Sequence, residues 1–332
     1  MRKRIAYRNI AEEAGISIST VSRVISNPED SSHAMRTRVI DAVFSLGGDP
    51  ADYGLVPQSE GRVIIFNVPS PSNPFYLPII EAARKRAESG GYILLENESD
   101  LSSSSSMDRF LSMLITTKAA GTIIANAMTS EGIARIGRAV PAVMCSESAE
   151  GSDVPYVIID NAGAAYSAVR YLLSSGRRRI AMLNGPSSYM YSGDRYSGYR
   201  RALLEAGYLL RPEYSAFIGS HMDLDMAYVA VRKLLDLPEP PDAIFCISDM
   251  LAALAIHAAS DSGVTVPDDL AVIGFDDQPV CRMVTPSIST VRQPVSQMGA
   301  LSAEMMIRMI ADPGCSLGSI KLDTELIIRE SA

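Results

Sequence analysis

A segment near the N-terminus carries side chains that could contact nucleic acid. Ser17 can cap a helix that continues to Ile25. One face of this helix would point outward with one apolar, two hydroxyl and one basic side chain, namely those of Ile18, Ser19, Ser22 and Arg23. Hydroxyl groups and a guanidinium can hydrogen-bond to base edges and phosphates in a major groove. The spacing therefore predicts a nucleic-acid-binding face.

Two neighbouring helices would position this face. Tyr7–Ala14 fits a helix that ends at Gly15, and Ser32 can cap a third helix that ends at Gly47 and Gly48. Small and apolar residues are spaced to pack between the first two helices: Ala11, Ile16, Val21 and Val24. The pattern predicts a helix-turn-helix, and the alternative is an ordinary three-helix domain.

The charge distribution supports a nucleic-acid-binding head. Seven basic and four acidic side chains give residues 1–38 a formal charge of +3, so the other residues must carry −11 for the chain to reach −8. A basic segment on an acidic body is typical of proteins that present one end to DNA, although a chance fluctuation would look the same.

A second candidate site lies at a pair of carboxylates. Asp276 and Asp277 follow a predicted strand at Ala271–Phe275. The C-terminal edge of a parallel strand is where α/β proteins bind ligands, and a turn-forming Asp is the simpler explanation. The sequence has no motif of a phosphate-binding loop, zinc protease, serine hydrolase or dinucleotide fold, and its 3 histidines are dispersed. We therefore expect no catalytic residue, metal or cofactor.

The remainder of the chain predicts an α/β architecture. From Arg62 to Ile328, short β-branched runs alternate with helical stretches, which indicates parallel sheets with helices on both faces. At 332 residues the chain has room for two or three domains, and we expect two α/β lobes. Ala51–Gly61 is predicted to be a linker, Ser102–Ser106 a solvated loop, and Lys321–Ile328 a single last strand.

The composition favours a cytoplasmic protein. The 4 cysteines are far apart without a C-x-x-C pair, which favours reduced thiols. The basic start at Met1–Arg4 is not followed by the apolar stretch of a signal peptide. The most apolar window, Ala243–Ser260, is interrupted by polar residues, so we expect no membrane contact.

Several segments resemble the lactose/galactose-repressor (LacI/GalR) family. The head segment Ala11–Pro28, with T-V-S-R-V at Thr20–Val24, is similar to that family's headpiece. The resemblance continues in further segments along almost the whole chain: Ser72–Tyr76, Ile159–Asn161, Gly176–Pro186, Asp194–Tyr199, Phe245–Asp249, Val266–Asp277 and Thr285–Pro294.

The resemblance implies a domain organisation. It places a helix-turn-helix head at residues 1–50, a hinge at 51–61, and a two-lobed core like that of periplasmic binding proteins. The lobes would comprise residues 62–160 with 292–317, and 161–291 with 318–332. The chain would cross between them near Asn161, Val291 and Leu317.

The resemblance also implies two sets of binding residues. The DNA-binding set is Tyr7, Ser17, Ile18, Ser19, Thr20, Ser22, Arg23, Asn27 and Leu55. The ligand-binding set is Phe75, Tyr76, Ser146, Tyr189, Tyr191, Arg195, His221, Ser248 and Asp276. Because the second set is aromatic and rich in hydroxyls, with one Arg and one Asp, it suits a neutral sugar or nucleoside better than a phosphate.

These observations together predict a DNA-binding transcriptional regulator, and we expect it to be a repressor. It would bind a pseudo-palindromic double-stranded operator as a homodimer and respond to a sugar or nucleoside held between the lobes. The alternatives are a transport-type solute-binding protein, which should have an export signal and no helix-turn-helix, and an α/β enzyme, which needs a catalytic constellation.

The hinge departs from the family pattern. Relatives follow the headpiece with a short helix that wedges a leucine into the minor groove. Here Gly54 and Pro57 both disfavour a helix, and Asp52 adds a negative charge facing phosphates. If a wedge exists, it would be Leu55 or Val56.

Overall fold

The structure, a computed structural model, describes residues 5–28, 30–48, 50–55, 62–70, 73–219 and 224–332. The chain forms two compact units, Met1–Glu60 and Gly61–Ala332, which are called the head and the core below.

The head contains the three predicted helices, α1 (Tyr7–Ala14), α2 (Ile18–Ser26) and α3 (His33–Ser45). Helix α1 ends at Gly15, whose φ of 62° lies in the left-handed region that glycine adopts without strain. This turn directs the chain into α2, and the helix-turn-helix prediction is confirmed.

The head extends further along the chain than predicted. A 3₁₀ turn at Pro50–Tyr53 follows α3, and both Tyr53 and Leu55 are 3% exposed within the apolar core of the head. The Tyr53 hydroxyl accepts a hydrogen bond from the backbone N–H of Ile5 at 2.6 Å and donates one to its carbonyl at 3.0 Å. The linker predicted to begin at Ala51 was therefore placed too early, because these two large side chains find cover in the head.

The core contains two six-stranded sheets. The first is formed by β1 (Val63–Val68), β2 (Ile93–Glu98), β3 (Gly121–Ile124), β4 (Ala142–Cys145), β5 (Tyr156–Ile159) and β11 (Ile320–Leu322), in the spatial order β11-β5-β4-β3-β1-β2. The second is formed by β6 (Ile180–Asn184), β7 (Ser215–Phe217), β8 (Ala243–Cys246), β9 (Ala271–Asp276), β10 (Ser289–Arg292) and β12 (Glu325–Ile327), in the order β12-β10-β9-β8-β6-β7. The strands pair in parallel except for β10 with β12.

Eight helices connect and cover these sheets in the described part of the core. The first lobe has α4 (Tyr76–Ser89), α5 (Ser104–Thr116), α6 (Ser130–Ala139) and α11 (Val295–Ala311). The second lobe has α7 (Asn161–Ser174), α8 (Met190–Glu205), α9 (Leu224–Leu235) and α10 (Asp249–Asp261). The predicted two-lobed α/β class is confirmed. None of the helices in the described ranges is both long and apolar enough to cross a membrane.

The third crossing between lobes differs from the prediction. The chain leaves the first lobe after β5 and returns after β10, within two residues of the predicted positions. The final crossing lies between β11 and β12, not near Leu317, because Ile320–Leu322 pairs with Val157–Ile159 at the edge of the first sheet. Residues 318–322 therefore belong to the first lobe, and the single strand predicted at Lys321–Ile328 is two strands.

Two helices begin earlier than predicted. The last three residues of the serine run, Ser104–Ser106, form the first turn of α5 and not a loop, because the Ser103 hydroxyl accepts a hydrogen bond from the N–H of Ser106 at 3.2 Å and caps the helix. Helix α8 begins at Met190 instead of Tyr196. It packs closely on α7 through Gly198, where a Cβ atom would collide with the carbonyl of Ala162.

Candidate functional site

The outward face of α2 carries the predicted DNA-binding side chains. Val21 and Val24 are buried in the head core, so the opposite face of the helix is free. Ile18 is 51% exposed, and Ser19, Arg23 and Asn27 are also exposed, whereas Tyr7, Thr20 and Ser22 are half-buried. An exposed isoleucine beside hydroxyls and a guanidinium can contact thymine methyls, base edges and phosphates.

The first turn of α2 is held by hydroxyl groups. The Ser17 hydroxyl accepts a hydrogen bond from the backbone N–H of Thr20 at 3.1 Å. It also lies 2.8 Å from the hydroxyls of Ser19 and Thr20. Ser17 therefore caps the helix, and this network orients the hydroxyls at the end of α2 that would approach a DNA backbone.

Leu55 does not lie where the sequence placed it. It was predicted as a possible wedge for the minor groove, but its side chain is 3% exposed within the head core. Gly54, with a φ of 67°, turns the chain so that Leu55 folds back onto the head. Val56 and Pro57, the other hinge residues considered, lie outside the described residues.

The core contains a cleft between its two lobes. A cavity of about 50 Å³ is lined by Asn73, Phe75, Tyr76, Ser146, Asn161, Tyr191, Arg195, Ile247, Ser248, Asp276 and Gln293. Most of these residues follow the carboxyl end of a strand in one sheet or the other. This edge is where open α/β sheets bind ligands.

The cleft brings together seven of the nine side chains predicted to bind a ligand. Of the other two, Tyr189 is half-buried beside the cavity, with its ring centroid 5.3 Å from that of Tyr191. His221 lies outside the described residues. Ser248 lines the cavity but also caps α10, since its hydroxyl accepts a hydrogen bond from the N–H of Leu251 at 3.3 Å.

Four residues that line the cavity were not predicted from the sequence to bind a ligand. Asn161, Ile247 and Gln293 come within two residues of the ends of β5, β8 and β10, so their position after a predicted strand was an available signal. Asn73 stands just before α4, where its side-chain oxygen accepts a hydrogen bond from the N–H of Phe75 at 3.1 Å. No spacing rule in the sequence singles out Asn73.

Arg195 is fixed in the cleft by protein contacts on several sides. Its Nε donates to Oδ1 of Asn161 at 2.9 Å, and its Nη1 donates to the carbonyl of Ile247 at 2.6 Å. The guanidinium carbon lies 3.5 Å from the ring centroid of Phe275 and 4.9 Å from that of Tyr191. Burial lowers the pKa of Arg195, and the nearby Asp276 carboxylate opposes that effect. Among the described residues no hydrogen bond is made by Nη2, so this group could donate to a ligand.

Asp276 is an acceptor at the end of β9. Its two carboxylate oxygens accept hydrogen bonds from Gln293 at 2.7 Å and from Gln278 at 3.3 Å. Burial, together with the nearby Asp249 carboxylate, raises the pKa of Asp276 well above its ordinary value despite Arg195. A ligand hydroxyl that donates to Asp276 would stabilise the ionised form.

The backbone is strained at two points of the cleft. Ser146 has a φ of 66° and Asp276 a φ of 112°, both in the region that side chains other than glycine rarely adopt. Such strain is retained where the surrounding structure over-determines it and is concentrated at functional sites. Here it directs a polar side chain from each lobe at the cavity.

Glu147 is a buried carboxylate that the sequence analysis did not single out. It is 1% exposed, and its Oε2 accepts a hydrogen bond from the backbone N–H of Met190, the first residue of α8, at 2.9 Å. Burial raises the pKa of Glu147 to about 7, and the N–H groups of Met190 and Tyr191 partly oppose that rise. Since Glu147 follows β4, this contact joins the two lobes.

The early start of α8 follows from this contact. The residue before the helix, Tyr189, makes no side-chain capping bond, so the local sequence gives no start signal. The acceptor is supplied from the other lobe by Glu147. The earlier start places Tyr191 and Arg195 on the first two turns of a rigid helix that faces the cleft.

Comparison with known proteins identifies relatives of both the head and the core. Residues 7–50 match the model for bacterial regulatory proteins of the lacI family, and residues 169–332 match a periplasmic binding protein-like domain. The Escherichia coli (strain K12) protein named HTH-type transcriptional repressor CytR is 33% identical over 98% of this chain and 95% of its own length. The chain belongs to the LacI family of regulatory proteins.

Two further relatives support this assignment. The Bacillus subtilis (strain 168) protein named HTH-type transcriptional regulator DegA is 32% identical to this LacI-family chain. The match covers 97% of this chain and 96% of DegA. The solved complex of the transcriptional regulator CelR with cellobiose is 28% identical, with a TM-score of 0.75 over 99% of this chain and 100% of that one. This LacI-family protein is therefore a DNA-binding transcriptional regulator.

Proposed function

We propose that this regulator is a cytoplasmic repressor and not an enzyme, and that a sugar or nucleoside bound in the core cleft controls its affinity for operator DNA. The observation that carries the proposal is the convergence of Arg195, Asp276 and aromatic side chains on one cavity between the lobes. The solved complex of CelR with cellobiose supports a sugar as one such ligand.

The cleft chemistry supports a neutral or donor-bearing ligand. Phe75, Tyr76 and Tyr191 provide ring faces on which a sugar or base can stack. Asp276 accepts from ligand hydroxyls, and Arg195 donates to ligand oxygens. One fixed guanidinium is a poor match for a phosphate, which usually takes several cationic or N–H donors.

The DNA partner is proposed to be a pseudo-palindromic double-stranded operator bound by a homodimer. Each recognition helix α2 would occupy the major groove of one half-site. A dimer is supported by β2, which lies at one edge of the first sheet and exposes Ile93 and Leu95 to 52% and 45%. Closure of the lobes on the effector would change the spacing of the two heads, with a coupling of about 1–3 kcal/mol.

The test combines DNA selection with ligand screening. Selection from random duplexes should yield a two-fold symmetric site, and a thermal-shift panel of sugars and nucleosides should yield a ligand that changes affinity for that site. A ligand that raises the melting temperature without changing DNA affinity would favour a solute-binding protein, and turnover of the ligand would favour an enzyme.

The dimer surface has its own test. Ile93→Glu with Leu95→Glu should shift the protein from dimer to monomer in light scattering and weaken operator binding. Leu209→Glu, which alters an 86% exposed leucine of the second lobe, is the matched control and should remain dimeric. A dimer that survives the double substitution would place the interface elsewhere.

A further inference from the structure

Asp249 is a fully buried carboxylate behind the effector cleft. It is the first residue of α10 and is not among the residues that line the described cavity. Its Oδ1 accepts a hydrogen bond from the hydroxyl of Thr290 at 2.5 Å, and its Oδ2 accepts one from the backbone N–H of Gln278 at 2.7 Å. Gly274 on β9 leaves space for this carboxylate, because a Cβ atom there would collide with Oδ1. Both oxygens of Asp249 therefore bind to groups near the end of β9 and on β10.

The segment that Asp249 holds is the turn after β9, which has an unfavourable backbone. Asp276 has a φ of 112° and Asp277 a φ of 55°, so two successive residues other than glycine have positive φ. Such a conformation persists only where surrounding contacts over-determine it. The N–H of Asp277 donates to the Thr290 hydroxyl at 3.4 Å, and the next N–H, that of Gln278, donates to Asp249. Both backbone donors that follow Asp276 thus end on one buried network.

This turn presents the carboxylate of Asp276 to the cavity. The side-chain amide of Gln278 donates to that carboxylate at 3.3 Å. The side-chain oxygen of Gln278 is buried and has no hydrogen-bond partner in the part of the chain that the structure describes. The backbone bond to Asp249 is therefore the stronger anchor of Gln278, and the position of Asp276 depends on it.

The two residues before Asp249 also serve the cleft. The carbonyl of Ile247 accepts a hydrogen bond from Nη1 of Arg195 at 2.6 Å, and Ser248 lines the cavity. Three consecutive residues after β8 therefore contribute to the part of the cleft that the second lobe forms. Ile247 holds the donor Arg195, and Asp249 holds the turn that carries the acceptor Asp276.

We infer that Asp249 is a positioning residue of the effector cleft, which holds Asp276 in the orientation that accepts a hydrogen bond from a ligand. It acts through the backbone N–H of Gln278 and the hydroxyl of Thr290, without touching the ligand. The inference rests on the proposed effector cleft. It requires hydrogen bonds at two positions and not a negative charge. Asparagine can keep both bonds, because its oxygen accepts from Gln278 and its amide nitrogen donates to the Thr290 hydroxyl, whereas alanine loses both.

Amide hydrogen exchange of the full-length protein measures the turn without a ligand. In Asp249→Ala, the amide of Gln278 should exchange at least about tenfold faster than in the parent, because it loses its buried acceptor. Asp249→Asn should exchange like the parent. Asp236→Ala, which removes an exposed carboxylate from the same lobe, is the matched control and should also exchange like the parent.

Calorimetric titration with cellobiose, adenosine, cytidine and uridine measures the cleft. For a probe that binds the parent, Asp249→Ala should weaken binding by at least about tenfold, and Asp249→Asn by less than about threefold. A residue that acted only through its charge would lose the same affinity in both variants, so rescue by asparagine identifies positioning. Asp236→Ala should bind the probe like the parent.

The outcomes separate this inference from the proposed function. If a probe binds and Asp249→Ala keeps both its affinity and the slow exchange of Gln278, or if the two Asp249 variants lose affinity equally, the inference is wrong and the effector cleft stands. If none of these probes binds the parent, the proposed effector class fails, and the exchange of the Gln278 amide decides whether Asp249 holds the turn.

Thr290→Val provides a second test in case Asp249→Ala does not fold. This substitution keeps the shape of the side chain but removes the hydroxyl that bonds to Asp249 and to the N–H of Asp277. It should speed exchange of the Asp277 and Gln278 amides, whereas Thr265→Val, at an exposed site of the same lobe, should not. Unchanged exchange in Thr290→Val would overturn the inference.

Discussion

The Nε atom of Arg195 donates a hydrogen bond to Oδ1 of Asn161 at 2.9 Å. Asn161 is the first residue of α7, immediately after the chain enters the second lobe, and Arg195 lies on α8. The group best placed to contact a ligand is therefore held by the residue at a crossing between lobes. This contact provides a physical connection between ligand binding and the relative position of the lobes.

This relationship predicts that Asn161→Ala weakens the effector response. Without Oδ1 the Arg195 side chain keeps its bond to Ile247 but loses its second anchor, so effector affinity should fall by about tenfold. Titration with the effector found in the ligand panel measures the change. Ser167→Ala, an exposed position on the same helix, should leave the affinity unchanged. Equal affinity in both variants would mean that Asn161 has no positioning role.

Removal of the Arg23 guanidinium should weaken operator binding. Arg23 is exposed on α2 and, within the part of the chain described, forms no ion pair that would be broken by DNA. Arg23→Ala is expected to cost about 1–3 kcal/mol of operator affinity if the group reads a base. Arg138→Ala removes the same charge from the surface of the core and is the control in a gel-shift titration. The same loss in both variants would indicate a general charge effect.

Substitutions at Ile18 and Ser19 should alter which operator is preferred. Both side chains are exposed at the start of α2, where a recognition helix contacts base edges. Selection from random duplexes with Ile18→Thr and Ser19→Ala should return changed bases at fixed positions of each half-site. An unchanged consensus for both variants would remove this end of the helix from base recognition.

Much of the fold and most of the cleft could be predicted from the sequence. Gly15 marks the end of α1 and Ser17 the start of α2 with local signals, and the strand that ends at Asp276 is a continuous apolar run up to that residue. The family resemblance predicted that residues such as Arg195 would line the cleft. It did not predict their contacts or distances.

The features that were missed depend on contacts distant in sequence. Glu147 caps α8 from 43 residues away, so no local pattern marks either the helix start or the role of the carboxylate. Tyr53 reaches Ile5 across 48 residues, which is why the segment looked like a linker. The strand Ile320–Leu322 was assigned to the wrong lobe because strand pairing, not hydrophobicity, determines its sheet.

Leu55→Ala should destabilise the head instead of removing a DNA contact. Loss of a buried leucine costs about 2–5 kcal/mol, and Leu55 is packed with Tyr53 in the head core. Hydrogen exchange of the DNA-free full-length protein should show faster exchange in α1–α3 and unchanged exchange in the core. Asp41→Ala, at an exposed site on α3, is a control. If exchange in the head is unchanged but operator affinity falls by several kcal/mol, Leu55 acts as a wedge on DNA.

The adjacent residues Asp276 and Asp277 should have opposite effects on stability. Burial raises the pKa of Asp276 in the folded, unliganded protein. Its ionisation therefore opposes folding once the pH rises above about 3.9, the pKa of an aspartate in the unfolded chain. Although burial also disfavours the charge on Asp277, hydrogen bonds from Arg292 and Arg329 hold its pKa below the ordinary value. Its stabilising contribution is present above about pH 3.9 and is lost as the pH falls through the lower folded pKa.

Asp276→Asn should therefore raise the melting temperature of the unliganded protein at pH 8, by the equivalent of about 1–3 kcal/mol, and have little effect near pH 4. Asp277→Asn should lower the melting temperature at pH 8, because it removes the charge that pairs with Arg292 and Arg329, although Arg292 keeps its ion pair with Glu325. Thermal unfolding of both variants across this pH range measures the two effects. The stabilised Asp276→Asn variant should also fail to respond to effector, since the ionised acceptor is gone. A loss of stability in Asp276→Asn at pH 8 would show that this carboxylate is a structural group and would move the ligand acceptor elsewhere in the cleft.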